Sequence, residues 1–161
     1  MAATKTLSSA RTSTRAPDAI SMLRADHEKV TEMFERYEDL RTANQKAKLA
    51  REICKELSVH TRLEEEIFYP AVREAIDDEP LMDEAEVEHQ SAKDLIAQIQ
   101  EGSPGDELFD ARVKVLGEYI KHHVKEEQNE MFAQVRKAEV DLKDLAEQML
   151  ARKEELMAEM E

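Results

Sequence analysis

The chain has 161 residues, which fits one domain with a sizeable hydrophobic core. Charged residues make up 37% and hydrophobic residues 41%, with only 3 glycines, 4 prolines and no tryptophan; this composition indicates long helices and argues against a many-turned β fold. The net charge of −14 repels phosphate backbones, so we expect no nucleic acid partner. The single cysteine, Cys54, cannot form an internal disulfide, and no apolar run is long enough to span a membrane, so we expect a cytoplasmic protein without a membrane partner.

Residues 1–17 differ in composition from the rest of the chain. They contain Lys5, Arg11 and Arg15 without any acid, and serine, threonine and alanine fill most of the other positions. They lack the apolar segment of a secretory signal. We therefore predict a disordered N-terminal tail over residues 1–17, with an organelle transit peptide as the alternative.

Apolar residues recur at helical spacing from Asp18 onward and predict four long helices. The predicted bounds are about 18 to 41, about 45 to 75, Pro80 to Gly102, and Ser103 to about 138. Asp18 is expected to cap the first helix, and Ser103 with Asp106 has the spacing of a capping box at the start of the fourth. Short connections between helices of this length predict an all-α, antiparallel up-down-up-down four-helix bundle over residues 18–138.

An amphipathic stretch follows the fourth helix over residues 139–161. Its apolar positions include Val140, Leu145, Met149 and Leu156, set among many charges. They predict an additional C-terminal helix, which either packs on the bundle or mediates a homodimer.

Polar residues interrupt the apolar stripes at six places that helical spacing directs toward the core. They are His27, His60, Glu64, His89, His123 and Glu127. A lone histidine on such a stripe is more often a core residue with a hydrogen-bond partner than a ligand, and a run such as 64–66 is more often a solvated face. Six together are hard to explain in this way, because an ionised carboxylate buried without a partner costs several kcal/mol. A buried cation would compensate them.

The spacing of these residues supports a metal site. His60 with Glu64, and His123 with Glu127, are i and i+4 pairs that can present an imidazole and a carboxylate to one ion. The pattern also repeats, since 63 residues separate the two pairs and 62 separate His27 from His89, which indicates an internal two-helix duplication. Four imidazoles and two carboxylates exceed the needs of one tetrahedral zinc and suit a pair of first-row ions, with iron favoured for mixed nitrogen and oxygen ligands.

The order of an isolated histidine, a His-x-x-x-Glu pair, a second isolated histidine and a second pair resembles the hemerythrin-like, or HHE cation-binding, domain family. The similarity covers about residues 18–138 and includes the flanking sequences at 65–70 and 129–132. The resemblance implies a non-haem diiron site inside the bundle, with two iron ions joined by an oxo or hydroxo bridge. It also implies that the two glutamates bridge the ions and that the four histidines are terminal ligands.

Lys93 departs from the pattern of oxygen-carrying hemerythrins, which have a fifth histidine at this place. A cationic lysine beside metal ions is expected to turn toward solvent and to leave a coordination position for water or a small ligand. The alternatives for completing the coordination shell are Glu28, Glu86 and His122.

The doublet His122-His123 leaves the identity of the last histidine ligand open, because some family members place it one residue further from the glutamate. The i+4 relation to Glu127 and a cleaner apolar stripe favour His123. Cys54 is expected to be a small buried apolar residue. Tyr69 and Tyr119 are expected to pack in the structure, or else to donate a hydrogen bond at the metal site.

These residues predict a metal-binding protein that binds dioxygen or nitric oxide, or that senses or holds iron. The alternative is an enzyme that consumes peroxide, superoxide or nitric oxide at the open coordination position. A ferritin-like diiron protein would need two Glu-x-x-His pairs, and only Glu86 with His89 has that spacing. A helical interaction protein without metal would leave the six polar core residues unexplained.

Overall fold

The computed structural model describes residues 17–160, which form five helices and no strand. Helix α1 is Ala19–Asp39, α2 is Ala43–Leu63 continued by Glu64–Phe68 and Tyr69–Ala75, α3 is Glu79–Glu101, α4 is Phe109–Glu126 continued by Glu127–Met131 and Phe132–Lys137, and α5 is Leu142–Glu159. The first four helices form the predicted bundle, so the all-α fold class is confirmed. The predicted tail lies outside the described residues, apart from Pro17.

Side-chain caps account for where the first three helices begin. Asp18 accepts a hydrogen bond from the Ser21 backbone N–H at 2.8 Å, as the sequence predicts. Thr42 and Asp78 cap α2 and α3 in the same way. Helix α3 ends at Gly102, which is also the predicted end.

Helix α4 begins at Phe109, six residues later than predicted. The Asp106 carboxylate does accept from the Ser103 N–H at 2.9 Å, as in a capping box. However, the Ser103 carbonyl accepts from the Asp106 N–H at 2.9 Å, and this bond closes a turn around Pro104 and Gly105. Proline and glycine at the centre of four residues favour a turn over a first helical turn.

Two apolar clusters fill the bundle, and the six polar residues lie between them along the first four helices. One cluster includes Ile20, Leu23, Phe68, Val72, Met82, Met131 and Phe132. The other includes Val30, Leu49, Ile53, Leu57, Cys54, Ala92, Ile96, Val113 and Leu116. The fold thus encloses one polar layer between two dry layers.

Helix α5 packs on the bundle of its own chain, against α1 and α2. Leu145, Met149 and Leu156 are buried in the first apolar cluster. Lys153 Nζ lies 3.2 Å from Asp26 Oδ1, and Arg152 Nε lies 2.8 Å from Glu66 Oε1. Packing on the bundle, one of the two predicted arrangements, is therefore what the structure has. Within residues 17–160, no helix has both the length and the apolarity to cross a membrane.

Candidate metal centre

A π-helical turn begins at each of the two core glutamates. The Tyr69 N–H donates to the Glu64 carbonyl, and the Phe132 N–H donates to the Glu127 carbonyl, so each turn closes over five residues instead of four. Such turns inside α-helices are frequently found at functional sites. Here they place the residue five positions after each glutamate on the inward face.

The π-helical turn in α2 shifts the inward face of the helix beyond Glu64. A regular helix predicts that Ile67 and Ala71 point inward, whereas the structure buries Phe68 and Tyr69 and leaves those two residues only partly buried. One extra residue in the turn rotates everything after it by about 100°. The inward face therefore moves by one position.

The structure brings all six predicted ligand residues together in the polar layer, each at most 7% exposed. They form two groups whose possible ligand atoms lie within 4.8 Å of one another. The first group, here called position A, consists of His27, His60, Glu64 and Glu127, and the second, position B, consists of Glu64, His89 and His123. Because Glu64 belongs to both groups, the two positions are adjacent.

Each glutamate faces one histidine of each position. Glu64 Oε1 lies 3.3 Å from His60 Nε2 and 3.1 Å from His89 Nε2. Glu127 Oε1 lies 3.1 Å from His27 Nε2, and its Oε2 lies 3.3 Å from His123 Nε2. Two carboxylates placed between two pairs of imidazoles are suited to bridge two cations.

The Nδ1 atom of each of the four buried histidines is held by another side chain. Each of these partner residues is adjacent in sequence to one of the six predicted ligand residues. The contacts, of 2.6–2.9 Å, join His27 to Gln128, His60 to Asp26, His89 to Glu65 and His123 to Glu88. Three of these partners are carboxylates, which only accept, so Nδ1 carries a proton and Nε2 is the nitrogen that faces the site and is available to a metal. These four partners were not predicted from the sequence, although it contains a signal for them. An acidic residue precedes both His27 and His89, and an acidic or amide residue follows both Glu64 and Glu127.

Unsatisfied atoms in the polar layer provide a test of whether it fits a metal. Within the described part of the chain, His27 Nε2, Glu64 Oε2 and Glu127 Oε1 are buried without a hydrogen-bond partner. Leaving such atoms unpaired costs about 1–3 kcal/mol each, more when they are charged. All three carry lone pairs directed at the layer. A bound cation would satisfy them, so the residues present fit a metal ion.

The same carboxylates make the histidines basic. Burial lowers the pKa of His123, but its hydrogen bonds to Glu127 and Glu88 outweigh burial and raise the pKa to about 10. The pKa of His60 is likewise raised, because Glu64 and Asp26 outweigh the effect of burial. Protons therefore compete with metal for these nitrogen atoms, and metal binding must release them.

His123, and not His122, faces the polar layer. His122 is 67% exposed and pairs with Glu126 at 2.6 Å.

Lys93 also turns away from the layer, as expected, and its Nζ lies 2.6 Å from Glu65 Oε1. Of the residues expected as alternatives for the coordination shell, Glu86 is exposed beside Arg73, and Glu28 is exposed as well.

Tyr69 is the residue that reaches position B instead. Its hydroxyl oxygen lies 3.2 Å from Glu64 Oε1, 3.2 Å from His89 Nε2 and 3.1 Å from His123 Nε2, and it donates to Glu127 Oε2. Burial, and then the charges of the two glutamates, raise the pKa of Tyr69, so the hydroxyl is protonated in this arrangement. The two tyrosines thus differ, because Tyr119 is half exposed and does not pack in the core.

A cavity of about 20 Å³ adjoins the polar layer. Apolar side chains of Val30, Leu57, Ala92 and Ile120 line it together with the histidines, and Tyr119 lies along its wall. This volume is about that of one small molecule such as water.

The bundle and its buried histidine and glutamate groups define a helical metal-binding protein. The family model of the hemerythrin HHE cation binding domain matches residues 18–135. The chain belongs to this family, as the resemblance in the sequence predicts.

Two known proteins resemble the chain. A DNA nickase of Nostoc sp. is 33% identical over an alignment of 121 residues that covers 71% of this chain and 32% of the relative, so the chain spans about a third of that protein. The crystal structure of a hemerythrin HHE cation binding domain-containing protein from Mycobacterium kansasii superposes with a TM-score of 0.76 at 21% identity, covering 89% of this chain and 90% of the other. The second likeness shows a shared fold.

Proposed function

We propose that the chain holds two iron ions, one at position A and one at position B, and binds a small diatomic ligand such as dioxygen or nitric oxide, or senses or holds iron. His27 and His60 would bind one ion, His89 and His123 the other, and Glu64 and Glu127 both. Imidazole and carboxylate donors in this ratio suit iron among the first-row metals.

The observation that carries the proposal is the sharing of carboxylates between two histidine pairs. Glu64 and Glu127 are fully buried and separated from solvent by apolar layers, where two unpaired negative charges would be strongly destabilising. A single cation at either position would use only one of the two histidine pairs. Two cations account for all six residues and for the three unsatisfied atoms.

The cavity favours a diatomic ligand. Bound ferrous iron would supply the electrons for binding dioxygen or nitric oxide, and the protein supplies a mostly apolar space beside the site. The volume of about 20 Å³ is enough for a molecule of about the size of water or a diatomic gas. Val30, Leu57 and Ala92 keep water away from this space, which strengthens electrostatic interactions inside it.

An enzyme that consumes peroxide, superoxide or nitric oxide is the second candidate. Lys93 favours it over reversible oxygen carriage, because its side chain is bound to Glu65 and supplies no imidazole where oxygen carriers have their fifth histidine. The name of the Nostoc relative gives it an activity on DNA. The net charge of −14 opposes binding of this chain to DNA, so we do not propose that activity for it.

Elemental analysis of the full-length protein after anaerobic loading with iron tests the proposal. We expect close to two irons per chain. One metal per chain at saturation, or uptake of zinc alone, would overturn the diiron assignment. A reversible spectral change with dioxygen or nitric oxide indicates a binding protein, whereas sustained consumption of peroxide indicates the enzyme.

A further inference from the structure

We propose that Lys153 of α5 is a positioning residue for position A: it fixes Asp26, the carboxylate that holds His60, and offsets the negative charge behind that histidine, and so sets the reduction potential of a metal bound there. Lys93 has the same part at position B through Glu65. This inference rests on the proposed function and adds to it two residues outside the six-residue pattern, one of them in a helix beyond the family match.

A chain of contacts leads from α5 to the polar layer. Asp26 uses its two carboxylate oxygens separately, because Oδ2 lies 2.9 Å from His60 Nδ1 and Oδ1 lies 3.2 Å from Lys153 Nζ. The side chain of Asp26 is only 13% exposed, so water hydrates its charge poorly and a neighbouring cation stabilises it. A lysine that fixes one oxygen of this carboxylate also orients the imidazole bound to the other oxygen.

An equivalent chain of contacts is present at position B. Lys93 Nζ lies 2.6 Å from Glu65 Oε1, and Glu65 Oε2 lies 2.8 Å from His89 Nδ1. Both Lys93 and Lys153 keep part of their side chain in water. One histidine of each position is thus held by a carboxylate whose second oxygen binds a lysine.

The partner of His27 shows what happens where this carboxylate is replaced by a neutral group. His27 Nδ1 is held by the amide oxygen of Gln128, which carries no charge to offset. Gln128 has in the second half of the bundle the place that Glu65 has in the first, since each directly follows a core glutamate. In the described part of the chain, Glu65 has a lysine partner and Gln128 has none. The lysine is therefore matched to the negative charge and not to the fold alone.

Glu88, which holds His123, is the remaining carboxylate of this kind. Its side chain is more exposed than that of Asp26, at 22% against 13%. Its second oxygen lies 3.6 Å from Nε2 of the exposed His122, where Asp26 has its lysine. Water can stabilise this charge directly, so the lysine is present at the carboxylate that water reaches least.

The charge of the lysine has a defined effect on a redox-active metal. A carboxylate behind an imidazole makes Nε2 a stronger donor and favours the more highly charged metal ion, and a cation bound to the same carboxylate weakens this effect. A unit charge about 10 Å from a metal, at an effective dielectric constant of about 20, shifts the equilibrium between ferric and ferrous iron roughly tenfold. Loss of the lysine charge should therefore favour ferric iron about tenfold, which lowers the reduction potential by about 59 mV.

A reductive titration of the iron-loaded, full-length protein with dithionite and mediator dyes, followed by visible absorption, tests the inference. Lys153→Met keeps an apolar stem of similar length and removes the charge, and it should lower the potential of one iron by about 59 mV. Lys153→Arg keeps the charge and should restore the wild-type potential. Lys143→Met is the matched control, because Lys143 is an exposed lysine of the same helix, and it should leave the potential unchanged.

Lys93→Met is a second variant whose result does not depend on the packing of α5, because Lys93 lies on α3. Its potential should fall by a similar amount. Unchanged potentials in both Lys153→Met and Lys93→Met, with two irons still bound, overturn the inference and leave the diiron assignment intact. A lowered potential that Lys153→Arg does not restore also overturns it, because the charge would then not be the cause. A wild-type chain that takes up no iron overturns the proposed function and the inference together.

Discussion

Tyr69 and Phe132 occupy equivalent places in the two halves of the bundle, each at the end of a π-helical turn that begins at a core glutamate. The Tyr69 hydroxyl contacts both glutamates and the histidines of position B. The Phe132 ring stacks on His27, and the Arg24 guanidinium lies 5.6 Å above its centre. The nearly symmetric set of proposed ligands therefore has unequal surroundings, and we expect two metals bound there to differ in redox and ligand-binding behaviour.

Glu64→Gln or Glu127→Gln should lower metal affinity by more than about 100-fold, because loss of a partner that only supports a ligand already costs about 10 to 100-fold. Each of these glutamates faces a histidine of both positions. Glu126→Gln is the matched control, since Glu126 lies next to Glu127 but pairs with the exposed His122. Iron content after dialysis against a chelator is the measurement. Equal retention in all three variants would contradict the assignment.

Glu88→Ala should weaken metal binding by about 10 to 100-fold, because Glu88 Oε1 holds His123 Nδ1 at 2.6 Å. Glu88→Gln keeps an acceptor oxygen and should restore most of the affinity. Competitive titration with a coloured chelator measures both variants. A Gln variant as weak as the Ala variant would show that the negative charge, and not the hydrogen bond, matters.

Replacement of the two neighbouring histidines should have opposite results. His123→Ala removes an imidazole from position B and should reduce iron content toward one per chain, whereas His122→Ala changes an exposed ion pair and should leave iron content unchanged. Elemental analysis distinguishes them. Iron loss on replacement of His122 alone would reverse the choice.

Leu156→Ala should lower the free energy of unfolding by about 2–5 kcal/mol, because Leu156 is fully buried where α5 covers the bundle. Leu150 lies on the same helix and is exposed, so Leu150→Ala should change stability by less than about 0.5 kcal/mol. Chemical denaturation of the iron-loaded proteins measures both. If the two variants are equally stable, α5 does not pack on the bundle in solution.

Alkaline pH should destabilise the wild-type chain more than Cys54→Ala. Burial raises the pKa of the Cys54 thiol from 9.0 to about 12, so the folded state holds this proton more tightly than the unfolded state. Its stabilising contribution is full below a pH of about 9 and is lost as the pH rises from about 9 toward 12, by at most about 1.4 kcal/mol per pH unit. Unfolding free energies measured across this range should diverge; parallel curves would indicate that the thiol is accessible.

The six polar core residues were predictable because their signal is periodic and repeated. Spacing of i and i+4, together with the offset of 63 residues between Glu64 and Glu127, requires only the helical repeat and the residue types. Tyr69 was not predictable in this way. A regular helix places its side chain about 100° from the face of Phe68, and only the extra residue of the π-helical turn, which leaves no mark in composition, brings both inside.

The start of α4 shows a different limit of sequence reasoning. Ser103 and Asp106 match the capping pattern, and part of the expected hydrogen bonding forms. The same residues also fit a turn, which Pro104 and Gly105 at its centre favour. The position of Phe109 in the second apolar cluster fixes where the helix begins.

The match to the family model ends at residue 135, but the apolar cluster that includes Phe68 and Phe132 is completed by Leu145, Met149 and Leu156 of α5. The segment that matches the family model is thus shorter than the segment needed to complete the hydrophobic core. A fragment trimmed to the family match would contain all six proposed metal ligands but would expose the apolar surface that α5 covers, and so would be prone to aggregate. Helix α5 is also connected to the polar layer by hydrogen bonds, because Lys153 contacts Asp26, which in turn holds His60 Nδ1. Failure of such a fragment to hold metal would therefore reflect the loss of α5 and not a defect in the metal-binding residues.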